Sequence, residues 1–546
     1  MLDRSILPPH AVARWAARTP DTVAVAHVDG RGLTYAQLHA DAQAWAGALR
    51  GLGVEAGTHV ATLLPNGFLS HRTLLALGWL RAVEVPLNTA YVGAILRHAL
   101  TLSEARFLLT TSELLAQVQP LLTELPHLRT IVLLDAPAGD QAAIVGKTTS
   151  ETTGRGGLPE NSPEAVVVGG DAFAAAAAAQ ADGAFDGPDV WDIASLLFTS
   201  GTTGPSKAVI TPWGLALQMW SWVPDDTIGP GEGIYNPLPL FHNSGRSGFA
   251  YAMNRGARFV IRDRFSATTF WDDVRAADCR AAALVGPMTA LLWGASPGPD
   301  DADNPLRSVI LGPMIPEMEA FEKRFGVRVA TCYGQTEVGA PIVSGWDHGP
   351  WEATGRARTS YPWPEIRLVD AHDEPVGDGE VGELVVRSAE PWALNLGYYN
   401  MPEESMRAWR NGWFHTGDMF RRDAEGWYTF FDRRKDVLRR RGENISSFEV
   451  ERGVGEHPAV VECVAVGVPS GVGDDEVLAA VIVNDPAFQP SDLVTFLTGR
   501  MPAFMIPRYV RVLDDFPRNS TTGRVRKDEL RALVVDDRGW DRLGGA

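Results

Sequence analysis

Cysteine is nearly absent from this chain. Cys279, Cys332 and Cys463 are the only three in 546 residues, and none stands in a CxxC spacing. That argues against a disulfide framework and against a cysteine zinc site, and it suits a reducing, cytoplasmic setting. Lysine is scarce too: Lys147, Lys207, Lys323, Lys435 and Lys527 stand against 44 arginines, so a position that keeps lysine invites inspection. No apolar run is long. The stretch from Leu284 to Ala295 reaches about half of the roughly 20 residues that a membrane span needs. The opening MLDRSILPPHAVARW meets Pro-Pro before any apolar region develops, which predicts no signal peptide. Positive charge is in deficit as well, 49 basic against 67 acidic residues for a net −18. Such a surface repels nucleic acid and anionic membranes, although a local basic face can still bind a small anion.

What is present reads as a multidomain α/β chain, since 546 residues exceed one compact core. Over residues 1 to 135, helical patterns such as AQLHADAQAWAGALRGLG alternate with short apolar strands such as HVATLLP and RTIVLLD, which predicts layered helices on a mostly parallel sheet. Residues 138 to 190 turn to Gly, Pro, Thr and Glu with an alanine run at 174–179, read as a mobile insertion holding one Ala-rich helix. Alternation resumes from Trp191 to Tyr399, with short antiparallel strands and tight turns near 365 to 387 and another strand at 427–432. The last 110 or so residues carry their own αβ pattern, and a boundary is expected near 433–436.

Two short matches carry no chemistry. GDGEVG at Gly377 to Gly382 fits GxGxxG, but a strand, ELVVR, follows it where a dinucleotide site needs a helix, so a β-turn is expected. GASPG at Gly294 to Gly298 resembles a hydrolase elbow, yet Pro297 has no N–H to give an oxyanion.

The segment from Ser195 to Lys207 is different in kind. An apolar strand runs into TSGTTGPSK, where glycines let the backbone wrap an anion, hydroxyls donate to phosphate oxygens and Lys207 supplies charge. The GxxxxGK[ST] of a Walker loop is absent. TSGTTGPSK resembles the phosphate loop of the adenylate-forming superfamily: acyl-CoA synthetases, nonribosomal adenylation domains and luciferases. Four further motifs of that superfamily follow in order: YGQTE at Tyr333 to Glu337, WFHTGD at Trp413 to Asp418, DRRKDVLRRRGENISSFEVE at Asp432 to Glu451, and PRNSTTGRVRKDEL at Pro517 to Leu530. The GENISSFEVE wording is nearest to carnitine/crotonobetaine-type acyl-CoA ligases.

The resemblance implies a large N-terminal domain of layered sheets and helices with a β-rich subdomain (1–432), a hinge (433–435) and a small mobile α+β C-terminal domain (436–546). It also implies a reaction in two halves, in which a carboxylate and ATP give acyl-AMP and pyrophosphate, and a thiol then displaces AMP. Thr199, Ser200, Gly201, Thr202, Thr203, Gly204 and Lys207 are expected to hold the β- and γ-phosphates. Tyr333 offers a ring to adenine, Thr336 a hydroxyl to the α-phosphate, and Glu337 an oxygen ligand to Mg²⁺. Asp418 and Arg433 are expected on the ribose hydroxyls, Lys435 at the hinge, and Gly442 where a missing side chain leaves room for pantetheine. Arg434 and Arg440 are read as a solvated basic face.

By the same resemblance the acyl pocket draws on His242, Asn243, Gly245, Gly286, Met288, Gly312, Pro313, Gly334 and Gln335. His242 is either a gate or a packing residue. Arg246 stands out, because an inward arginine implies a short polar acid or a second anion. The closing motif departs from the family pattern: Thr522-Gly523-Arg524 has arginine where a lysine reaches the carboxylate and α-phosphate, and Lys527 follows three residues later. Arginine is not a neutral swap for lysine there. The leading expectation is an ATP- and Mg²⁺-dependent ligase joining a small or medium carboxylic acid to CoA. Its alternatives are an adenylating enzyme with a carrier protein as acceptor, one that activates nitrite for diazotisation, and a nucleotide-binding protein with little catalysis.

Overall fold

The computed structural model describes residues 3–135, 166–179, 185–199, 206–312, 317–347, 349–361, 364–433, 436, 438–440, 443–445, 447–469, 475–498, 500–501, 503, 505–518, 525–534 and 538–544. These fall into two compact units. The first holds the chain up to Ile366 together with Val386–Phe414; the second holds Arg367–Val385 and the chain from His415 onward.

The first unit is built on two sheets. In one, seven strands run in the order Val166–Val168, Thr130–Leu133, Phe107–Thr110, His59–Leu63, Val83–Pro86, Ile193–Thr199 and Lys207–Pro212. All neighbours are parallel except the last pair, an antiparallel hairpin. The other sheet orders Gly32–Thr34, Val23–His27, Arg258–Ile261, Gly233–Tyr235, Cys279–Val285, Ser308–Gly312, Arg328–Gln335, Gly339–Val343 and Gly355–Ala357. Its middle is parallel and its two ends antiparallel.

Strand alternation explains the layering, because successive side chains leave opposite faces. On the first sheet Val60, Leu109 and Val132 join one core while Ala61, Leu108 and Ile131 join another. On the second, Val25, Ile234, Phe259 and Ala281 face that same first core, and Tyr235, Val260 and Ala282 face a third. Both sheets therefore turn one face onto a shared central layer of helices, Pro8–Arg18, Tyr35–Gly51, Phe68–Leu80 and Asn243–Arg255. The α/β layering expected from the sequence is present.

The segment read as an insertion contributes more than a loop. Val166–Val168 adds an edge strand beside Thr130–Leu133, and the alanine run lies in the helix Gly170–Ala179, with Phe173 and Ala177 buried in the central core. The rest of that reading, at 138–165 and 180–184, lies outside the described residues. The strands expected near 365–387 are Glu365–Val369 and Val381–Arg387, and GDGEVG is the turn before the latter, where Gly377 N–H donates to Glu380 Oε2 at 2.7 Å.

In the second unit Val460–Pro469 and Asp475–Val483 form an antiparallel pair, with Tyr509–Val512 parallel beside the latter. Alternation again splits two cores. Ala465, Val477 and Ala479 pack on the helices Ser447–Gly455 and Pro490–Leu497; Val464, Val466 and Leu478 pack on Lys527–Val534. Arg440 departs from the solvated face expected of its run. It is 3% exposed, with its guanidinium 2.6 Å from Glu476 Oε2. A charge enters that core because a carboxylate meets it there. Arg434 lies outside the described residues.

Candidate active site

Thr199 closes one strand and Lys207 opens the next, directly opposite in the antiparallel register. The hairpin thus fixes both ends of the phosphate-type loop, while Ser200, Gly201, Thr202, Thr203 and Gly204 lie outside the described residues. Lys207 is half-buried. Its ammonium stands 2.6 Å from Glu404 Oε2 and 4.8 Å from the centre of the Tyr398 ring. The lysine's hydrogen bond and charge hold the Glu404 carboxyl below its ordinary pKa.

YGQTE ends one strand of the second sheet and turns into the next. Tyr333 pairs with Ile342 and Gln335 with Gly339 across that hairpin. Gly334 is dictated by space, since a Cβ there would lie 2.8 Å from the Gly339 carbonyl oxygen. Thr336 is half-buried in the turn, and Glu337 is only 9% exposed. The Tyr398 hydroxyl donates to Glu337 Oε1 at 3.1 Å. Burial, then the neighbouring carboxylate, pushes the Tyr398 pKa far up, so the phenol stays a donor.

One segment, Asn395 to Tyr399, joins these two places. On one side it lies along the strand Lys207–Pro212: Leu396 N–H donates to Ile210 O (3.1 Å), Ile210 N–H to Gly397 O (3.0 Å) and Tyr399 N–H to Ala208 O (2.8 Å). On the other side Asn395 donates to the Glu337 carbonyl from its backbone (3.1 Å) and from Nδ2 (2.8 Å). The adjacent tyrosines diverge, as strand neighbours do. Tyr399 packs on His59 and donates to Glu104, whereas Tyr398 reaches Lys207 and Glu337.

No group of three or more His, Cys, Asp or Glu converges among the described residues. A buried carboxylate oriented by a phenol nevertheless fits Mg²⁺, which is commonly held by one or two carboxylates plus the phosphates of a nucleotide.

His242 precedes the helix Asn243–Arg255. The residue is exposed, and the protein packed around it lowers its pKa by desolvation. Gly245 is a packing requirement: a Cβ would meet the Pro239 carbonyl oxygen at 2.3 Å. Arg246 does point inward, but its charge is already matched. It is ion-paired with buried Glu84, which also accepts from Thr62 Oγ1 at 2.8 Å, and its Nε donates to Leu240 O at 2.9 Å. Burial raises the Glu84 pKa and the arginine opposes that rise. The inward arginine therefore does not require a second anion on the substrate. Asn243 and Arg246 line a cavity with Trp213, Leu217 and Trp220. Gly286 and Met288 lie in the first turn of the helix Gly286–Trp293, and Gly312 ends the strand Ser308–Gly312. Pro313 is outside the described residues.

In the second unit Asp418 and Arg433 face each other in the register of Trp413–Arg422 and Trp427–Arg433, so the two expected ribose residues are cross-strand neighbours. Asp418 is 4% exposed. The turn before it is held by Glu383, which accepts from Gly417 N–H at 3.1 Å, and by Thr416, whose hydroxyl accepts from Asp418 N–H at 3.1 Å. Lys527 is neither solvated nor unpartnered. Its ammonium lies 2.7 Å from Glu451 Oε1 and donates to Ser447 Oγ, and Ser447 donates in turn to Asp432 from its N–H (2.6 Å) and hydroxyl (2.7 Å). Lys435, Gly442 and Arg524 lie outside the described residues.

Sequence reasoning missed Tyr398, Glu404, Asn395 and Glu84. Nothing about one tyrosine in GYYNMPEES distinguishes it from the next, and the Glu84–Arg246 pair spans 162 positions.

Comparison with known proteins identifies the family and the fold. A family profile described as AMP-binding enzyme matches residues 12–399, and one described as AMP-binding enzyme C-terminal domain matches 449–522. Crotonobetaine/carnitine–CoA ligase of Salmonella arizonae is 32% identical over 350 residues, 62% of this chain and 66% of that protein. In this and several similar alignments the chain spans about two thirds of the relative's length. The ligase of the same name from Salmonella paratyphi A is 28% identical over 516 residues, 92% of this chain and 93% of its own. The solved o-succinylbenzoate CoA synthetase of Bacillus subtilis, in complex with its acyl-adenylate intermediate, superposes with a TM-score of 0.76 at 23% identity, covering 95% of this chain and 97% of that one.

Proposed function

The chain belongs to the AMP-binding enzyme family, and from that premise we propose that it activates a small or medium carboxylic acid with ATP and Mg²⁺ and passes the acyl group to CoA. The observation that carries this reading is the meeting of Lys207, Tyr398 and Glu337, a phosphate-type lysine and a buried carboxylate held on one phenol. Relatives matched over most of the chain are named as CoA ligases of carnitine-type acids, which supports CoA as acceptor and a small acid as substrate.

In the first half-reaction a carboxylate oxygen attacks the α-phosphorus of ATP, the bond to the β-phosphate oxygen breaks, and pyrophosphate leaves. Thr199, the 200–204 loop and Lys207 hold the leaving phosphates. Glu337 would hold Mg²⁺, which would neutralise phosphate charge. Thr336 donates to the α-phosphate, and Arg524 supplies the cation beside it. Tyr333 stacks on adenine, with Gly312, Pro313, Gly334 and Gln335 around the base and the acyl group; His242, neutral, stands at the entrance. In the second half-reaction the CoA thiol loses its proton to solvent, sulfur attacks the acyl carbon, and AMP leaves with the carboxylate oxygen. Asp418 and Arg433 hold the ribose, residues 433–435 with Lys435 form the hinge, and Gly442 makes room for pantetheine. Three scattered free cysteines support a reducing, cytoplasmic setting. Among the described residues no helix is long and apolar enough to cross a membrane.

The test is pyrophosphate exchange with a panel of carboxylic acids and nitrite, each with and without CoA. Exchange with a small acid and thioester formation with CoA are expected; exchange with nitrite alone, or none at all, would overturn the reading. Within that assay Glu337→Gln is expected to lower exchange at least about 10²-fold in a folded protein, the loss typical of removing one electrostatic stabiliser. Near-normal exchange would take Glu337 out of the metal role.

A further inference from the structure

We propose that Tyr398 is a positioning residue, setting the Glu337 carboxylate and the Lys207 ammonium in one fixed register so that the metal side and the phosphate side of ATP are received together. The inference rests on the function proposed above. The two groups belong to different sheets, and a rigid connector between them is what the strands themselves do not provide. Tyr398 supplies it with two faces of one side chain. Its hydroxyl donates to Glu337 Oε1 at 3.1 Å, and its ring faces Lys207 Nζ at 4.8 Å. Tyr398 is 8% exposed, so water competes little for its hydroxyl, while Lys207, a quarter exposed, keeps part of its hydration.

Its own backbone is fixed on three sides. Tyr398 N–H donates to Ser405 Oγ at 2.8 Å, Gly397 N–H donates to Asn395 Oδ1 at 2.8 Å, and Tyr398 forms an isolated bridge with Val209, two residues from Lys207. The ring therefore has little freedom to follow either partner, and the partners are set by it. Donation to one carboxylate oxygen orients the carboxylate plane. A hydrogen bond to a charged group is stronger than one between neutral groups, so losing it leaves a carboxylate that must be ordered at the expense of metal binding. A cation facing a ring contributes less where water reaches it.

These two contacts separate in two variants. Tyr398→Phe keeps the ring and loses the hydroxyl; Tyr398→Leu loses both. ATP binding is measured by calorimetry without acid, so that no turnover occurs, first in EDTA and then across a Mg²⁺ titration. For Tyr398→Phe, metal-free ATP binding is expected to match wild type while the half-saturating Mg²⁺ rises about tenfold. For Tyr398→Leu, metal-free binding also weakens, about two- to fivefold. In a Glu337→Gln background the Tyr398→Phe change is expected to have no further effect on Mg²⁺ dependence, because the acceptor is already altered; this double-mutant comparison isolates the pair. A merely structural tyrosine would weaken ATP binding equally with and without Mg²⁺ and would add its effect in the Glu337→Gln background, and either result overturns the proposal. If wild-type protein binds no ATP at all, the proposed function fails instead. Wild-type binding with an unchanged Mg²⁺ midpoint in Tyr398→Phe sinks the positioning role alone.

Discussion

Lys207 meets an internal carboxylate before any phosphate arrives. Glu404 stands 2.6 Å from its ammonium and belongs to the first turn of the helix Pro402–Ala408, where it also pairs with Arg407. In the phosphate role proposed for Lys207, an incoming triphosphate would compete with Glu404 for the lysine. Both side chains are about a quarter exposed, so the pair is screened and its strength is modest. Glu404→Gln keeps the shape and removes the charge, and it is expected to lower the KM for ATP two- to fivefold with little change in kcat. A raised KM would mean instead that Glu404 aims the lysine. The contact was hidden in the sequence for a plain reason. A single Glu in an acidic helix start usually serves the helix terminus, and only the folded strand brings Lys207 beside it.

At the level of elements, the helix Asn243–Arg255 is tied to the strand Val83–Pro86 by one buried ion pair, Arg246 with Glu84. The strands and helices themselves were legible, because alternation and helical spacing are local properties of the chain. Partners on distant elements are not local: an inward Arg246 reads as a ligand for an anion until its counter-ion appears on the strand Val83–Pro86. Once paired, the arginine is structural in charge even while it lines a cavity. Arg246→Met leaves Glu84 buried without its cation, and a loss of about 3–5 kcal/mol is expected from denaturant unfolding. Arg246→Met with Glu84→Gln is expected to recover most of that loss, since neither uncompensated charge remains. If the single variant is as stable as wild type, the pair is not what holds this helix to the sheet. If it is stable and also loses activity toward its best acid, Arg246 faces the substrate after all.

Across the whole chain, the chemistry was written in motifs and the support for it was not. TSGTTGPSK, YGQTE and HTGD stand out in the sequence because the phosphate, adenine and ribose contacts proposed for them demand particular groups at particular spacings. The residues that hold those groups, Tyr398, Asn395 and Glu383, obey no such demand and carry no signature. The same distinction bears on the two cations near the C-terminus. Adenylation needs positive charge beside the carboxylate and α-phosphate, where negative charge crowds. Lys527 is occupied elsewhere: it lies between Glu451 and Ser447, and through Ser447 it reaches Asp432, the residue before Arg433. Burial raises the Glu451 pKa, chiefly opposed by the charge of Lys527, so the lysine stabilises the second unit by keeping that carboxylate compensated. Arg524 is the cation we propose for that role, because the resemblance of the closing motif puts it at the lysine position. Lys527→Ala is therefore expected to cost roughly 2–4 kcal/mol of stability in the second unit, with adenylate formation per folded molecule falling only a few-fold. Arg524→Ala is expected to keep the wild-type melting temperature and to slow adenylate formation about 10²-fold. Rapid-quench measurement of acyl-AMP alongside thermal unfolding separates the two. A folded, slow Lys527→Ala beside an active Arg524→Ala would move the catalytic charge to Lys527, at the cost of leaving Glu451 without its cation whenever the enzyme turns over.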